Sequence, residues 1–274
     1  MANKIKKLLK SRKGKIICGC MLAVCLVAVL CLCFWKKSAQ TPLAENAKQE
    51  NNSSKAEEEK ELTLYEQDVL FLQSKQIPVP EKTVDFEELQ KNTNEDIYAW
   101  IYIPDTEVDY PILQHATDNN YYLKYNVDGT EGYPGCIYTE NYNNKYFTDK
   151  NTVLYGHNMR DGSMFGNLKA YQDTQYYQEH PYVYIYTPGR LYAYEIFAAY
   201  QSDNLHLLLN YDLSKEEVFA DYLVNALSTA KDKGIVTADW KPSGTEYILT
   251  LSTCVPGSSE HRFLVQGRLI TPDL

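Results

Sequence analysis

Apolar positions change period several times along residues 61–270, and each change predicts an element. From Glu61 to Gln76, Leu62, Tyr65, Val69 and Leu72 recur at helical spacing. Asp85 stands as a cap before Phe86 and Leu89, which predicts a second helix to about Asn92. Strand patterns follow: Ile97–Ile103 ends at a Pro-Asp turn, then come Val108–Leu113, Gly135–Thr139 and Thr152–Gly156. Tyr182–Thr187 turns at Pro188-Gly189-Arg190 into Leu191–Tyr200, the pattern of a hairpin. Helical spacing returns from Ser214 to about Lys231, with Ser214 and Glu217 at the separation of a capping box. Glu246–Thr253 and Arg262–Ile270 read as the last two strands. Seven or eight strands with helical insertions, and no βαβ alternation, predict a mostly-β fold closed or nearly closed into a barrel.

The first 60 residues follow another rule. Seven Lys and Arg between Lys4 and Lys15 precede an uncharged run from Ile16 to Trp35, which Lys36 and Lys37 close. Twenty helical residues span about 30 Å, the thickness of a bilayer's hydrocarbon core. The charge imbalance across the run puts the N-terminus in the cytoplasm and the rest of the chain outside. The expected organisation is a basic cytoplasmic tail (1–15), a single membrane span (16–35), a polar extracytoplasmic linker (36–60) and one folded domain (61–274). A cleaved signal peptide is the competing reading, but its apolar region is shorter, about 7–15 residues. A lipoprotein signal at Cys25 is weaker still, because bulky Val24 stands where a small residue is expected.

Charge removes another class of function. Nine of the 27 Lys and Arg lie in residues 1–37, so residues 38–274 carry 18 basic against all 36 acidic side chains. A surface this acidic excludes phosphate-backbone recognition, so no nucleic-acid partner is expected. Five of the seven cysteines fall in the apolar run, where they read as small apolar residues. Cys136 and Cys254 remain, enough for one disulfide or one working thiol. No His or Cys pair outside the span has ligand spacing, and no Gly-rich phosphate loop occurs; neither a metal nor a cofactor is expected.

Cys254 ends the strand Tyr-Ile-Leu-Thr-Leu-Ser-Thr-Cys, where a scaffold presents a group rigidly at its surface. Arg262 opens the next strand. If the two pair as a hairpin, the guanidinium lies beside the thiol, where it lowers a thiol pKa and donates to an oxyanion. His157 follows the strand Thr-Val-Leu-Tyr-Gly and is one candidate base; His261, in the Cys–Arg loop, is the other. His180 and His206 read as structural. Ser252 shares the strand face of Cys254 and, with Thr253, is a candidate for substrate contact.

Together these residues resemble the sortase family, class B. Thr250-Leu-Ser-Thr-Cys254 is similar to the TLxTC signature, and Arg262 to the arginine that opens the next strand. Asn151–His157, with Asp161-Gly-Ser-Met-Phe-Gly-Asn-Leu168 after it, resembles the class B histidine region. The helix near Ser214–Lys231 and the two helices ahead of the first strand match the same class. The resemblance implies an eight-stranded β-barrel with a helix inserted before the penultimate strand. It selects His157 over His261. It also implies the reaction: Cys254 attacks after the Thr of a C-terminal sorting signal on a secreted protein, and an amine of peptidoglycan releases the thioester. His157 would move the protons and Arg262 stabilise the oxyanion. Partners implied are therefore sorting-signal proteins, the peptidoglycan amine and the membrane. Two other classes stay in view. One is another extracytoplasmic cysteine peptidase or peptidoglycan-modifying enzyme, though the Ser-His-Gly-Cys of L,D-transpeptidases is absent. The other is a non-catalytic surface module, which predicts a Cys136–Cys254 disulfide.

Overall fold

The computed structural model describes residues 61–236 and 240–272. The predicted tail, span and linker lie outside the described residues, and among those described no helix is long and apolar enough to cross a membrane.

Two helices open the domain. α1 (Leu64–Ser74) starts at a capping box in which Thr63 Oγ1 accepts from Glu66 N at 3.2 Å and Glu66 Oε2 accepts from Thr63 N at 2.7 Å. α2 (Phe86–Asn92) is capped by Asp85, as its sequence predicts. β1 (Ile97–Tyr102) and β2 (Asp109–Leu113) pair antiparallel. The short helix α3 (Tyr121–Lys124) leads to β3 (Ile137–Tyr138) and β4 (Asn151–Tyr155). A 3-10 turn (Leu168–Gln172) and α4 (Thr174–Glu179) precede the hairpin of β5 (Tyr182–Thr187) and β6 (Arg190–Asp203). α5 (Glu216–Lys233), β7 (Gly234–Val236), β8 (Ile248–Cys254) and β9 (His261–Leu269) complete the order.

Eight strands form a closed ring in the order β5-β1-β2-β3-β4-β8-β9-β6, closed by β5 on β6. Two neighbour pairs, β2–β3 and β4–β8, are parallel, so the barrel is mixed. β6 is 14 residues long and serves two roles. Its first half closes the ring against β5, and its second half carries the short outer strand β7. Closure removes the free edges that an open sheet exposes.

Strand alternation sorts side chains between inside and outside. Leu154, Leu249, Leu251, Phe263 and Val265 face the interior with Ile101, Ile112 and Ile137. Outside, Phe219, Leu223, Leu227 and Ala230 of α5 cover Ile248 and Leu264. Each large side chain buried in this way contributes roughly 1.5–3 kcal/mol. A polar network runs between the layers: Gln266 Nε2 donates to Tyr222 OH (2.8 Å) and Thr250 Oγ1 (3.0 Å), and Thr250 Oγ1 to Asn151 Oδ1 (2.8 Å). It ties α5 to β4, β8 and β9 beneath the end of β8. On the far side, Leu72 of α1 packs on Tyr184 and Leu191. There Asp68 takes a bidentate pair from Arg190, at 2.7 and 3.0 Å, with both side chains under 10% exposed. Removing one partner strands the other's charge, at a cost of about 3–5 kcal/mol.

One sequence expectation needs correction. Residues 214 and 217 form no capping box. α5 starts after Lys215 without a side-chain cap, because Ser214 Oγ is taken up by Asp212 Oδ1 at 2.6 Å. Gly156, which ends the strand ahead of His157, is required for space. A Cβ there would lie 2.5 Å from Ile137 Cδ1 and 2.7 Å from the Phe165 ring.

Candidate active site

β8 and β9 pair in register so that Cys254 lies directly opposite Arg262, with Ser252 opposite Leu264. The parallel pairing of β4 to β8 sets Tyr155 opposite Ser252, which places His157 just past the same barrel end. Cys254, Arg262 and His157 line one cavity of about 240 Å³ on the outer barrel face. Its walls include Tyr138, Tyr155, Glu140, Leu205 and His206.

Each side chain has a local reason for its position. Cys254 is the exposed last residue of an otherwise buried strand. Both Cys136 and Cys254 are free thiols, so the disulfide weighed from the sequence is absent. Asn158 Nδ2 donates to the Cys254 carbonyl at 2.8 Å and ties the histidine loop to the cysteine strand. Arg262 Nη1 donates to the carbonyls of Ser259 (3.2 Å) and His261 (3.0 Å), which holds the guanidinium at the loop rim. His157 Nε2 is 2.8 Å from the Leu123 carbonyl. A carbonyl only accepts, so Nε2 carries the proton and Nδ1 is the basic atom of the neutral ring. The Tyr133 ring lies 4.8 Å from the imidazole.

The other histidines are placed differently. His261 bonds Ser258 Oγ at 2.7 Å and His180 the Pro104 carbonyl at 3.0 Å; neither lines this cavity. His206 departs from its sequence reading as structural. It lines the cavity and pairs with Glu140 at 2.8 Å. Burial pushes the Glu140 carboxyl above its usual range, against the pull of His206 and Tyr155. Burial likewise pushes the phenols of Tyr138 and Tyr155 above the usual tyrosine range, so both stay neutral donors at physiological pH.

Ser252 and Thr253 differ although both border the cavity. Ser252 shares the face of Cys254. Thr253 points to the opposite face, and its buried hydroxyl donates to the Gly156 carbonyl at 2.7 Å. That bond holds the residue before His157, a support rather than a free contact. Tyr138, Tyr155 and the Glu140–His206 pair, which line the cavity, and Asn158, which holds the Cys254 carbonyl, are residues to which the sequence reading gave no part in the site. For Asn158 and Tyr155 a signal existed, their adjacency to His157. For Glu140 and His206 none did, because the pair joins segments far apart in the chain.

A model of the sortase domain matches residues 101–270 of this chain. The chain belongs to the sortase family. It is 38% identical over 190 residues to Sortase B of Listeria monocytogenes, covering 68% of this sortase and 74% of that one. Among solved structures, sortase B from B. anthracis in complex with AAEK1 superposes with a TM-score of 0.59 at 31% identity, covering 71% of this chain and 90% of the other. The Staphylococcus aureus sortase B–substrate complex gives 0.60 at 26%, covering 76% and 93%. The class B assignment and the eight-stranded barrel therefore hold, and with them the family's activity as a cysteine transpeptidase.

Proposed function

We propose that this sortase cuts a C-terminal sorting signal after its Thr and joins the secreted protein to an amine of peptidoglycan, with Cys254, His157 and Arg262 as its catalytic residues. The observation that carries the reading is the register pairing of Cys254 with Arg262 in a cavity that His157 also lines. The Cys254 thiol passes its proton to His157 as its sulfur attacks the Thr carbonyl, and the oxyanion forms beside the Arg262 guanidinium. Arg262 has further N–H donors without protein partners among the described residues. Collapse forms the thioester and breaks the C–N bond, and His157 protonates the leaving amine. An incoming amine then attacks the thioester, gives its proton to His157 and releases the thiolate. Ser252 lines the peptide's path, and Thr253 fixes Gly156 ahead of the base.

The apolar run 16–35 anchors the chain in the cell membrane as a single pass with the catalytic domain outside. Its support is the charge pattern of residues 1–37. The test is a transfer assay on the full-length chain with peptides carrying Pro-x-Thr motifs and an amine acceptor. The expected product is the peptide cut after Thr and joined to the amine. Cleavage at another bond, or transfer that persists in Cys254→Ala, overturns the reading.

A further inference from the structure

Cys254 and His157 border two cavities, whereas Arg262 borders only the first. The second, about 560 Å³, is lined by the loop after His157 and by Pro256 and Gly257. The proposed function fixes what belongs there. The leaving amine and the incoming amine both exchange a proton with His157, so they occupy the same side of the thioester in turn. Arg262, at the oxyanion, marks the other cavity as the place of the acyl chain. The second cavity is thus where the acceptor enters.

Its charge is opposite to that of the domain. Arg160 and Lys169 line it, both exposed, and no carboxylate does. Among the described residues neither cation has an ion-pair partner. The first cavity, by contrast, includes Glu140 and Asp203. Two unpaired cations on an acidic domain usually read as solvated surface. Here they flank the reacting thiol, and the segment that carries them is fixed. Phe165 N donates to the His157 carbonyl at 3.0 Å and Gly162 N to the Met159 carbonyl at 3.2 Å. Gly166 packs so closely that a Cβ would lie 2.3 Å from the Met159 carbonyl oxygen.

We propose that this cavity selects an amine acceptor that carries its own carboxylate, held by Arg160 and Lys169 while the amine attacks. The new C–N bond replaces the C–S bond, the thiolate returns to Cys254, and the amine proton passes to His157. The inference rests on the transpeptidase reading above and adds the chemical class of its second substrate.

The test gives the full-length chain a Pro-x-Thr peptide and, separately, Nα-acetyl-lysine or Nα-acetyl-lysine amide as acceptor. The two share the same ε-amine and differ only in the carboxylate. The ratio of their kcat/KM values within one protein cancels any effect on acylation. A preference for the acid on the order of fivefold is expected for two partly solvated ion pairs. It should shrink in high salt and fall to near one in Arg160→Gln/Lys169→Gln. Equal rates in the wild type, or a preference that survives the double substitution, overturn the acceptor site alone. Failure to form any thioester overturns the transpeptidase reading as well.

Discussion

Two cysteines stand in the described domain, and their surroundings could hardly differ more. Cys136 is 4% exposed among Ile97, Leu113 and Tyr122, and its Sγ lies 3.4 Å from the Tyr125 carbonyl. Burial, then the nearby Asp128 charge, pushes its thiol up to about 12. Cys254 is exposed at a strand end, opposite an arginine and within one cavity with a histidine. Tyr138 separates the two environments, packing with Cys136 and lining the cavity of Cys254. The lesson is that chemistry follows the shell around a thiol. Burial keeps one protonated and inert; the cation, base and access around the other are the surroundings that the proposed nucleophile requires.

The sharpest way to break this contrast is Cys254→Ala. It should remove the thioester and cut transfer at least about 10⁴-fold, read by peptide transfer rate, with the thermal melt unchanged. His157→Ala comes next, with an expected loss of roughly 10²–10⁴-fold in kcat/KM. Arg262→Lys keeps the charge but loses the planar fork of donors, and should cost on the order of 10²-fold, mostly in kcat. At the other pole, Cys136→Ala should leave transfer within about twofold and lower stability by about 1 kcal/mol in denaturant titration.

The smallest effect is a pH dependence. The Cys136 thiol is neutral when folded but ionises from its ordinary value of 9.0 when unfolded. Its contribution to stability is complete below pH 9 and is lost as pH rises toward about 12. The stability difference between wild type and Cys136→Ala should therefore narrow over that window. A constant difference across it would remove burial as the cause of the thiol's inertness.

The sequence carried the barrel well where a local pattern decides. Alternation located β1, β5, β6, β8 and β9 within a few residues, and the hairpin of β5 with β6 followed from its turn. Cys254 and Arg262 were legible for the same reason, since two adjacent strands in one hairpin fix their own neighbours. What stayed hidden depends on pairing between distant segments. The Asp68–Arg190 clamp joins residues 122 apart in the chain. The Glu140–His206 pair lies on connections that no period marks. The parallel pairing of β4 with β8, which brings His157 to Cys254, is likewise invisible to local pattern. That is why the residues alone left His157 and His261 as rivals, and only the family resemblance separated them. β7 and the 3-10 turn are too short to leave a periodic signal.

The most direct test of the account is peptide mapping of the acyl-enzyme formed by the full-length chain with a Pro-x-Thr donor and no added amine. The account predicts one acyl group per chain, ending in Thr and attached to Cys254, with Cys136 recovered as an unmodified thiol. An acyl group on Cys136, or a Cys136–Cys254 disulfide in the active protein, would contradict it.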